Sequence, residues 1–191
     1  MASGNAGKIR EIAKLLAGLD VAIVPQSEYG VSDADETGTT FEENAIIKAR
    51  HAAAATGLPA IADDSGLSVD ALDGRPGVWS ARYAGPAASD DDNIDKLLTE
   101  LDGVDMRGAA FHCVACFLAS EDDEPLLTHG TWRGEILASR RGDGGFGYDP
   151  VFLVPGLGKS SAELTADEKN ARSHRGQALR ELAAALKTRL G

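Results

Sequence analysis

The sequence predicts an α/β fold with a mixed sheet. Segments whose apolar residues recur at helical spacing alternate with short apolar runs of strand length along the whole chain. Interleaved helices and strands of this kind are typical of α/β proteins. The chain has 191 residues, of which 43% are hydrophobic and 26% charged, and these are ordinary globular values. We therefore expect one domain spanning residues 1–191, without internal repeats.

The first predicted elements are a helix, a strand and a loop. Asn5 can cap a helix whose apolar stripe is formed by Ile9, Ile12 and Leu16. "DVAIVPQ" then favours a strand that Pro25 ends. Residues 27–38, "SEYGVSDADETG", are polar and rich in turn formers, which indicates an exposed loop.

The second helix has clear signals at both ends. In "TTFEENAIIKARHAAAATG", Thr40 and Glu43 form a capping-box pattern and Gly57 marks the end. "LPAIAD" follows as a short buried strand with Asp63 and Asp64 at its end. Adjacent carboxylates repel each other, so this placement suggests a nearby cation.

The next predicted helix is "SDDDNIDKLLTELDG", with Ser89 as its cap and Gly103 as its stop. Strands are expected at 109–119 and about 126–137. The glycine-rich turn in "RRGDGGFGYDPVFLVPG" leads into another apolar strand.

The C-terminal segment predicts a capped helix that packs on the core. Thr165 and Glu168 form a second capping box, and the pattern is interrupted at Ser173. Its later part presents Leu179, Leu182 and Leu186 at helical spacing.

Charge and hydropathy exclude two classes of partner. There are 19 basic against 30 acidic residues, a net charge of −11, which argues against broad binding of nucleic acid or anionic membranes. No apolar stretch approaches the roughly 20 residues of a membrane helix, and the N-terminus lacks a secretory signal pattern. We expect a cytoplasmic soluble protein.

The chain has a single Cys-x-x-Cys pattern, Cys113 and Cys116, inside the apolar run "AAFHCVACFLAS". A redox pair is typically found at a helix N-terminus, and a zinc site needs two further ligands at similar spacing. We therefore interpret both residues as buried strand thiols without disulfides.

Four stretches carry candidate chemistry, beginning with two that suit a phosphate and its metal. "SGNAGK", residues 3–8, is not a P-loop, but a glycine-rich turn at a helix N-terminus suits an anion; an ordinary capped turn is the alternative. Asp63 and Asp64 can converge with Asp35 and Glu36 on Mg²⁺, whereas a capping pair is the alternative.

The other two stretches suit a base and a donor pair. In "GGFGYD", Phe146 or Tyr148 could stack on a flat ring, or both could be core residues. In "KNARSHR", Lys169, His174 and Arg175 could donate hydrogen bonds, or form a solvated basic face. Together the four stretches describe a nucleotide site.

The motifs identify a family resemblance over essentially the whole chain. "SGNAGK", "ETGTTFEENAIIKA", "IADDSG", "PGVWSARYAG", "GGFGYDP" and "AELTADEKNARSHRGQAL" occur in this order. They resemble the inosine triphosphatase family, pyrophosphatases for non-standard purine nucleoside triphosphates. The resemblance implies an elongated, two-lobed α/β domain with a long mixed sheet flanked by helices, an active cleft between the lobes, and a homodimer. It also implies hydrolysis of ITP, dITP and XTP to the monophosphate and pyrophosphate with Mg²⁺.

The resemblance also implies roles for individual residues. Asp64 is the general base and a metal ligand, and the second ligand is placed at Asp35 with Glu36 close behind. Ser65 touches the substrate. The triphosphate is held by Ser3, Gly4, Asn5, Ala6, Gly7 and Lys8. The base and sugar pocket is formed by Phe146, Gly147, Tyr148, Asp149, Lys169, His174 and Arg175.

One feature departs from the family pattern. Its members usually have several apolar residues, a first strand, before the S/T-G-N turn, whereas only Met1 and Ala2 precede Ser3 here. We expect either a start assigned inside that strand or a fold that tolerates a stub. Two other functions remain open: a pyrophosphatase for other modified nucleotides, and a catalytically silent nucleotide sensor.

Overall fold

The computed structural model describes residues 1–2, 6–16 and 21–190, with side chains throughout except at 6–8, 10, 11 and 190. The chain forms two compact units. Unit 1 consists of Met1–Asp64, Cys113–Gly130 and Arg175–Gly191, and unit 2 of Ser65–His112 and Thr131–His174.

The structure contains both α-helices and a β-sheet, which confirms the α/β class. The helices are α1 (Ala6–Leu16), α2 (Phe41–Thr56), α3 (Asp90–Glu100), α4 (Ala166–Arg172) and α5 (His174–Leu190). The strands are β1 (Ala60–Val69), β2 (Gly108–Leu118), β3 (Leu126–Ile136), β4 (Phe152–Val154) and β5 (Lys159–Ser160). Short 3₁₀ helices are formed by Gln26–Tyr29, Asp70–Leu72, Gly77–Arg82, Asp149–Val151 and Ser161–Glu163.

The strands form a five-stranded sheet in the order β1-β2-β3-β4-β5. β3 pairs antiparallel with β4, with Glu135 opposite Leu153, and β4 pairs antiparallel with β5, with Leu153 opposite Ser160. These two pairings therefore lack the parallel component expected of a mixed sheet. Each strand follows its neighbour in sequence. The connection between β2 and β3 is short, whereas the one between β1 and β2 contains α3.

The predicted helix caps at Thr40, Ser89 and Thr165 are confirmed, whereas Asn5 lies outside the described residues. The Thr40 side chain accepts a hydrogen bond from the Glu43 backbone N–H, and Glu43 reciprocates at the backbone of Thr40. The same reciprocal arrangement joins Thr165 and Glu168. Gly57 ends α2 in the left-handed region with φ 65°, which a residue with a Cβ adopts only at a cost.

Two predicted element boundaries are wrong. Residues 21–25, expected as a strand, have no regular secondary structure. The strand expected to end at the acidic pair continues to Val69, so Asp63 and Asp64 lie inside β1. The predicted interruption at Ser173 is present: this residue adopts an extended conformation with φ −61° and ψ 153° and separates α4 from α5.

Each unit has its own apolar core. The core of unit 1 packs Ile12 and Leu16 of α1 against Ile61 and the leucines of α5. Cys113 and Cys116 lie in this unit, buried and without a disulfide, as predicted. Burial raises the pKa of the Cys116 thiol to about 12. Within the described residues, none of the helices has the length and apolarity needed to cross a membrane.

Candidate active site

The acidic pair of β1 begins the candidate site in unit 1. Asp64 is only 7% exposed. Its Oδ1 accepts a hydrogen bond from Lys48 Nζ at 2.7 Å, and its Oδ2 accepts one from Asn44 Nδ2 at 3.3 Å. Burial raises the pKa of the Asp64 carboxyl, and the neighbouring Lys48 only partly offsets that effect. A carboxyl group with such a raised pKa is suited to take up a proton.

Lys48 joins Asp64 to the loop before α2. Its Nζ also donates to Glu36 Oε1 at 2.9 Å, so two carboxylates meet at one ammonium group. Burial by itself lowers the pKa of Lys48, but the charges of Asp64, Glu36 and Asp63 outweigh it and the pKa is raised. Lys48 therefore remains charged at neutral pH and partly neutralises this acidic cluster.

Asn44 fixes the geometry between the loop and the strand. Its Nδ2 bonds Asp64, while its Oδ1 accepts a hydrogen bond from the Gly38 backbone N–H at 2.8 Å. A Cβ on Gly38 would lie 2.6 Å from Asn44 Oδ1, so only glycine lets the loop approach α2 this closely. Asn44 and Lys48 are four residues apart on α2 and so face the same side.

The neighbouring carboxylate has a different cation. Asp63 Oδ2 accepts a hydrogen bond from Arg175 Nε at 3.3 Å, and the two residues are 2% and 6% exposed. Adjacent residues of a strand point to opposite faces, so the pair can satisfy two separate partners. Lys48 and Arg175 thus make two adjacent carboxylates tolerable in a buried strand.

A second cluster in unit 2 is centred on Asp149, which is 2% exposed. Asp149 accepts hydrogen bonds from Ser161 Oγ at 2.9 Å, from the Phe146 N–H at 2.9 Å and from the Lys169 ammonium. Gly145 has φ +78°, and a Cβ there would collide with the Asp149 carboxylate. The glycine-rich turn therefore wraps this carboxylate tightly.

The aromatic residues of unit 2 differ in exposure. Phe146 is 52% exposed, with Lys169 Nζ 4.6 Å from its ring centroid. Tyr148 is buried, its hydroxyl donates to the Ser80 carbonyl at 2.9 Å, and burial raises its pKa. The His174 ring is buried and stacks on Phe111, with centroids 4.8 Å apart and planes at 12°. Phe146 is thus the more accessible of the two predicted stacking aromatics.

Several predicted residues are placed only in part. Ser3, Gly4 and Asn5 lie outside the described residues, and Ala6, Gly7 and Lys8 are described only as backbone at the start of α1. Asp35 is exposed, while Ser65 follows Asp64 in β1 and is half-buried. The roles predicted for these residues stay predictions.

Each unit contains a cavity of ligand size. The one in unit 2, about 380 Å³, is lined by the start of α3 and by the glycine-rich turn with Phe146 and Gly147, two of the predicted pocket residues. The one in unit 1, about 410 Å³, is lined mainly by apolar side chains, including Ile23, Ile61 and Phe117, and by none of the clustered acidic residues. Of these two cavities, the one in unit 2 is therefore the one lined by predicted site residues.

The carboxylate oxygens of this site suit a hard divalent cation whose remaining ligands come from the substrate and water. Among the described residues, no group of three or more His, Cys, Asp and Glu side chains is arranged to hold a metal by itself. Glu36 and Asp64 nevertheless share a cation, the Lys48 ammonium. Mg²⁺ is commonly held by one or two carboxylates together with phosphates and water, so these two residues fit it.

Sequence reasoning did not assign Asn44, Ser161 or the partner of Asp63. Asn44 had a usable signal, because it stands four residues before Lys48 on a strongly predicted helix. The contact between Asp63 and Arg175 spans 112 positions in the chain. No local pattern could have revealed it.

Comparison with known proteins gives a consistent result. Residues 1–185 match the model of the Ham1 family. The chain is 60% identical over 190 residues to the dITP/XTP pyrophosphatase of Pectobacterium atrosepticum, covering 98% of this chain and 96% of that protein. It is also 60% identical over 194 residues to the dITP/XTP pyrophosphatase of Methylococcus capsulatus, covering 100% and 96%.

Solved structures agree with the sequence comparison. A HAM1 protein from Coxiella burnetii superposes with a TM-score of 0.93 at 52% identity, covering 97% of this chain and 96% of that one. The Staphylococcus aureus Ham1 protein gives 0.91 at 45% identity, covering 98% and 97%. The family match, the sequence identity and the structural similarity lead to one conclusion: this chain belongs to the Ham1 family.

Proposed function

We propose that this protein is a Mg²⁺-dependent pyrophosphatase that hydrolyses ITP, dITP and XTP to the monophosphate and pyrophosphate. The observation that carries the proposal is the buried Asp64 carboxylate, with its raised pKa, bonded to Lys48 beside Glu36. Support comes from the relatives that are 60% identical and bear the name dITP/XTP pyrophosphatase. Removing these nucleotides would cleanse the nucleotide pool.

In the proposed reaction, Asp64 takes a proton from a water molecule that attacks the α-phosphorus. The bond from the α-phosphorus to the bridging oxygen breaks, and pyrophosphate leaves. Bound Mg²⁺, held by Glu36 and Asp64, would screen phosphate charge and polarise the phosphoryl group. Lys48 and Lys8 offset negative charge on the leaving group. Local cations are essential because the triphosphate carries roughly four negative charges and the chain itself has a net charge of −11.

Binding of the substrate is assigned to two sets of residues, one for the triphosphate and one for the base and sugar. The segment from Ser3 to Lys8 is assigned to the triphosphate, because amides at a helix start suit anions. Ser65 is assigned to contact the substrate. In unit 2, Phe146 offers an exposed ring face, Asp149 organises the turn around it, and Lys169 is held beside both. Gly147, Tyr148 and His174 complete the assignment to base and sugar.

Discrimination between bases is assigned to hydrogen-bond donors. Hypoxanthine and xanthine present a 6-keto acceptor where adenine presents a 6-amino donor. We assign Arg175, together with His174, as donors to that oxygen. A site built around one hydrogen bond can reject an analogue that lacks the partner by about 10⁴ or more.

The proposal also includes a homodimer in the cytoplasm. Both come from the family resemblance and from composition rather than from a partner chain. The acidic composition favours a small-molecule substrate over nucleic acid or membrane as partner. Light scattering at several concentrations would determine the oligomeric state.

The test is a pyrophosphate-release assay with ITP, XTP, GTP and ATP, with Mg²⁺ or with a chelator. We expect IMP and pyrophosphate from ITP, turnover only with the metal, and much lower kcat/KM for ATP and GTP. Tight ITP binding without turnover would instead identify a nucleotide sensor. Turnover restricted to other modified nucleotides would identify a pyrophosphatase of different specificity.

A further inference from the structure

Asp63 is a buried acid that the proposed reaction does not use. It lies in β1 with an exposed fraction of 2%, beside the proposed general base. Its Oδ2 faces Arg175 Nε at 3.3 Å. Asp64, by contrast, is bonded to Lys48 and Asn44. The two neighbouring carboxylates therefore serve different partners, and Asp63 lies against the arginine rather than the lysine.

Stability alone does not explain a buried pair of this kind. Removing two charges from water costs several kcal/mol per ion, and a buried ion pair often contributes no more than well-packed apolar residues would. The pair does, however, fix the orientation of the arginine side chain. A guanidinium group is planar, so a contact at Nε sets the plane in which its terminal N–H groups lie.

The position of Arg175 in the chain does not by itself orient its hydrogen-bond donors. Arg175 is the second residue of α5, directly after the break at Ser173 that separates α4 from α5. Its side chain has several rotatable bonds, and one turn of helix backbone does not determine where its donors point. A fixed acceptor on a sheet strand does, because β1 is hydrogen-bonded to β2 in the sheet.

We propose that Asp63 is a positioning residue for substrate specificity: it holds the Arg175 guanidinium in the orientation that donates to the 6-keto oxygen of the purine. This inference rests on the proposed function. Asp63 then acts on the choice of base through Arg175, without touching the substrate, the metal or the attacked phosphorus. Loss of Asp63 should therefore lower the preference for ITP over ATP.

The test compares kcat/KM for ITP and ATP in Asp63→Ala, Asp63→Asn, Arg175→Ala and the double variant Asp63→Ala/Arg175→Ala. Misplacement by about 1 Å can cost about a hundredfold in rate, so we expect the ITP-to-ATP ratio to fall by about ten- to a hundredfold in Asp63→Ala. The double variant should have the ratio of Arg175→Ala alone, because the two changes remove one function. Asp63→Asn, which keeps an acceptor of the same shape, should lose less.

The control is Asp70→Ala, which removes another Asp–Arg pair: Asp70 Oδ1 lies 3.4 Å from Arg133 Nη1, and both side chains are exposed. This control should retain the wild-type ratio. If Asp63→Ala does not fold, Asp63→Asn and its double variant with Arg175→Ala give the same comparison.

The outcomes separate the inference from the function on which it rests. If the wild-type protein does not prefer ITP over ATP, the proposed function fails. If it does prefer ITP but the Asp63 variants keep the wild-type ratio, even with a lower melting temperature, Asp63 is structural and the inference is wrong. The inference would also be wrong if the double variant lost the same factor in kcat/KM for ITP and for ATP, and if that loss were the product of the losses in the two single variants.

Discussion

Lys48 Nζ lies 2.7 Å from Asp64 Oδ1, across the contact between α2 and β1 in unit 1. The same ammonium group lies 2.9 Å from Glu36 Oε1. Its charge occupies the place where two buried or half-buried carboxylates converge. This relationship accounts for an acidic cluster inside an acidic protein, and it supplies both the base and the metal ligands of the proposed reaction.

Replacement of Asp64 by asparagine should abolish most turnover while the fold is kept. The amide is nearly isosteric with the carboxylate, but it is a poor metal ligand and does not take a proton from water at neutral pH. We expect kcat for ITP to fall by roughly a hundredfold or more. Asp122→Asn, at an exposed position, is the matched control and should behave as wild type. A near-normal kcat in Asp64→Asn would remove Asp64 from the role of base.

The same substitution should not destabilise the metal-free protein at neutral pH. The pKa of Asp64 is raised in the folded state, mainly by burial, so its contribution to stability is present below the unfolded pKa and is lost as pH rises through the folded pKa. Asparagine resembles the protonated form at every pH. Thermal unfolding with a chelator should thus give Asp64→Asn a melting temperature at or above that of wild type at pH 7, with the difference vanishing in acid. A clearly lower value at pH 7 would mean that the ionised carboxylate stabilises the fold.

Local sequence signals predicted the parts of the fold that depend on nearest neighbours. The capping boxes at Thr40 and Thr165 were predictable because a cap needs only a side chain and a residue three positions later. The strand ending at Asp64 was misjudged because two adjacent acids look like a strand end. The cations that permit them inside β1 come from α2 and α5, far away in sequence.

The candidate site likewise has residues that local motifs predict and contacts that only the tertiary structure reveals. The sequence predicts Asp64, Phe146 and Asp149 as site residues because they lie in distinctive motifs. Pairing of Asp63 with Arg175 and of Asp149 with Ser161 is a property of the tertiary structure. The contact of Glu36 with Lys48, and the exposure of Asp35, are likewise properties of the tertiary structure that two neighbouring acids in a sequence do not reveal.

Removing the side chain of Arg175 should reduce discrimination between bases. Arg175→Ala is expected to lower kcat/KM for ITP strongly and to change the already low value for ATP little, because only the 6-keto group uses the donor. GTP shares that group, so the preference for ITP over GTP should change less. Parallel steady-state assays with the three nucleotides test this. Equal losses for ITP and ATP would place Arg175 on phosphate or in a structural role.

The two thiols should be unreactive in the native protein. Cys113 and Cys116 are each 1% exposed or less, and burial raises the pKa of Cys116 to about 12, so almost no thiolate is present at neutral pH. A thiol-disulfide reagent at pH 8 should therefore modify neither residue until denaturant is added, after which two thiols should react. Rapid modification of the native chain would contradict the buried-strand interpretation.

The most direct measurement of the central claim follows the oxygen of the attacking water. The account places that attack at the α-phosphorus, with Asp64 as the base. Hydrolysis of ITP with Mg²⁺ in water enriched in the heavy oxygen isotope should thus put the label into IMP and leave the released pyrophosphate unlabelled, as mass spectrometry can determine. Label in pyrophosphate, or formation of IDP and labelled inorganic phosphate, would contradict the account.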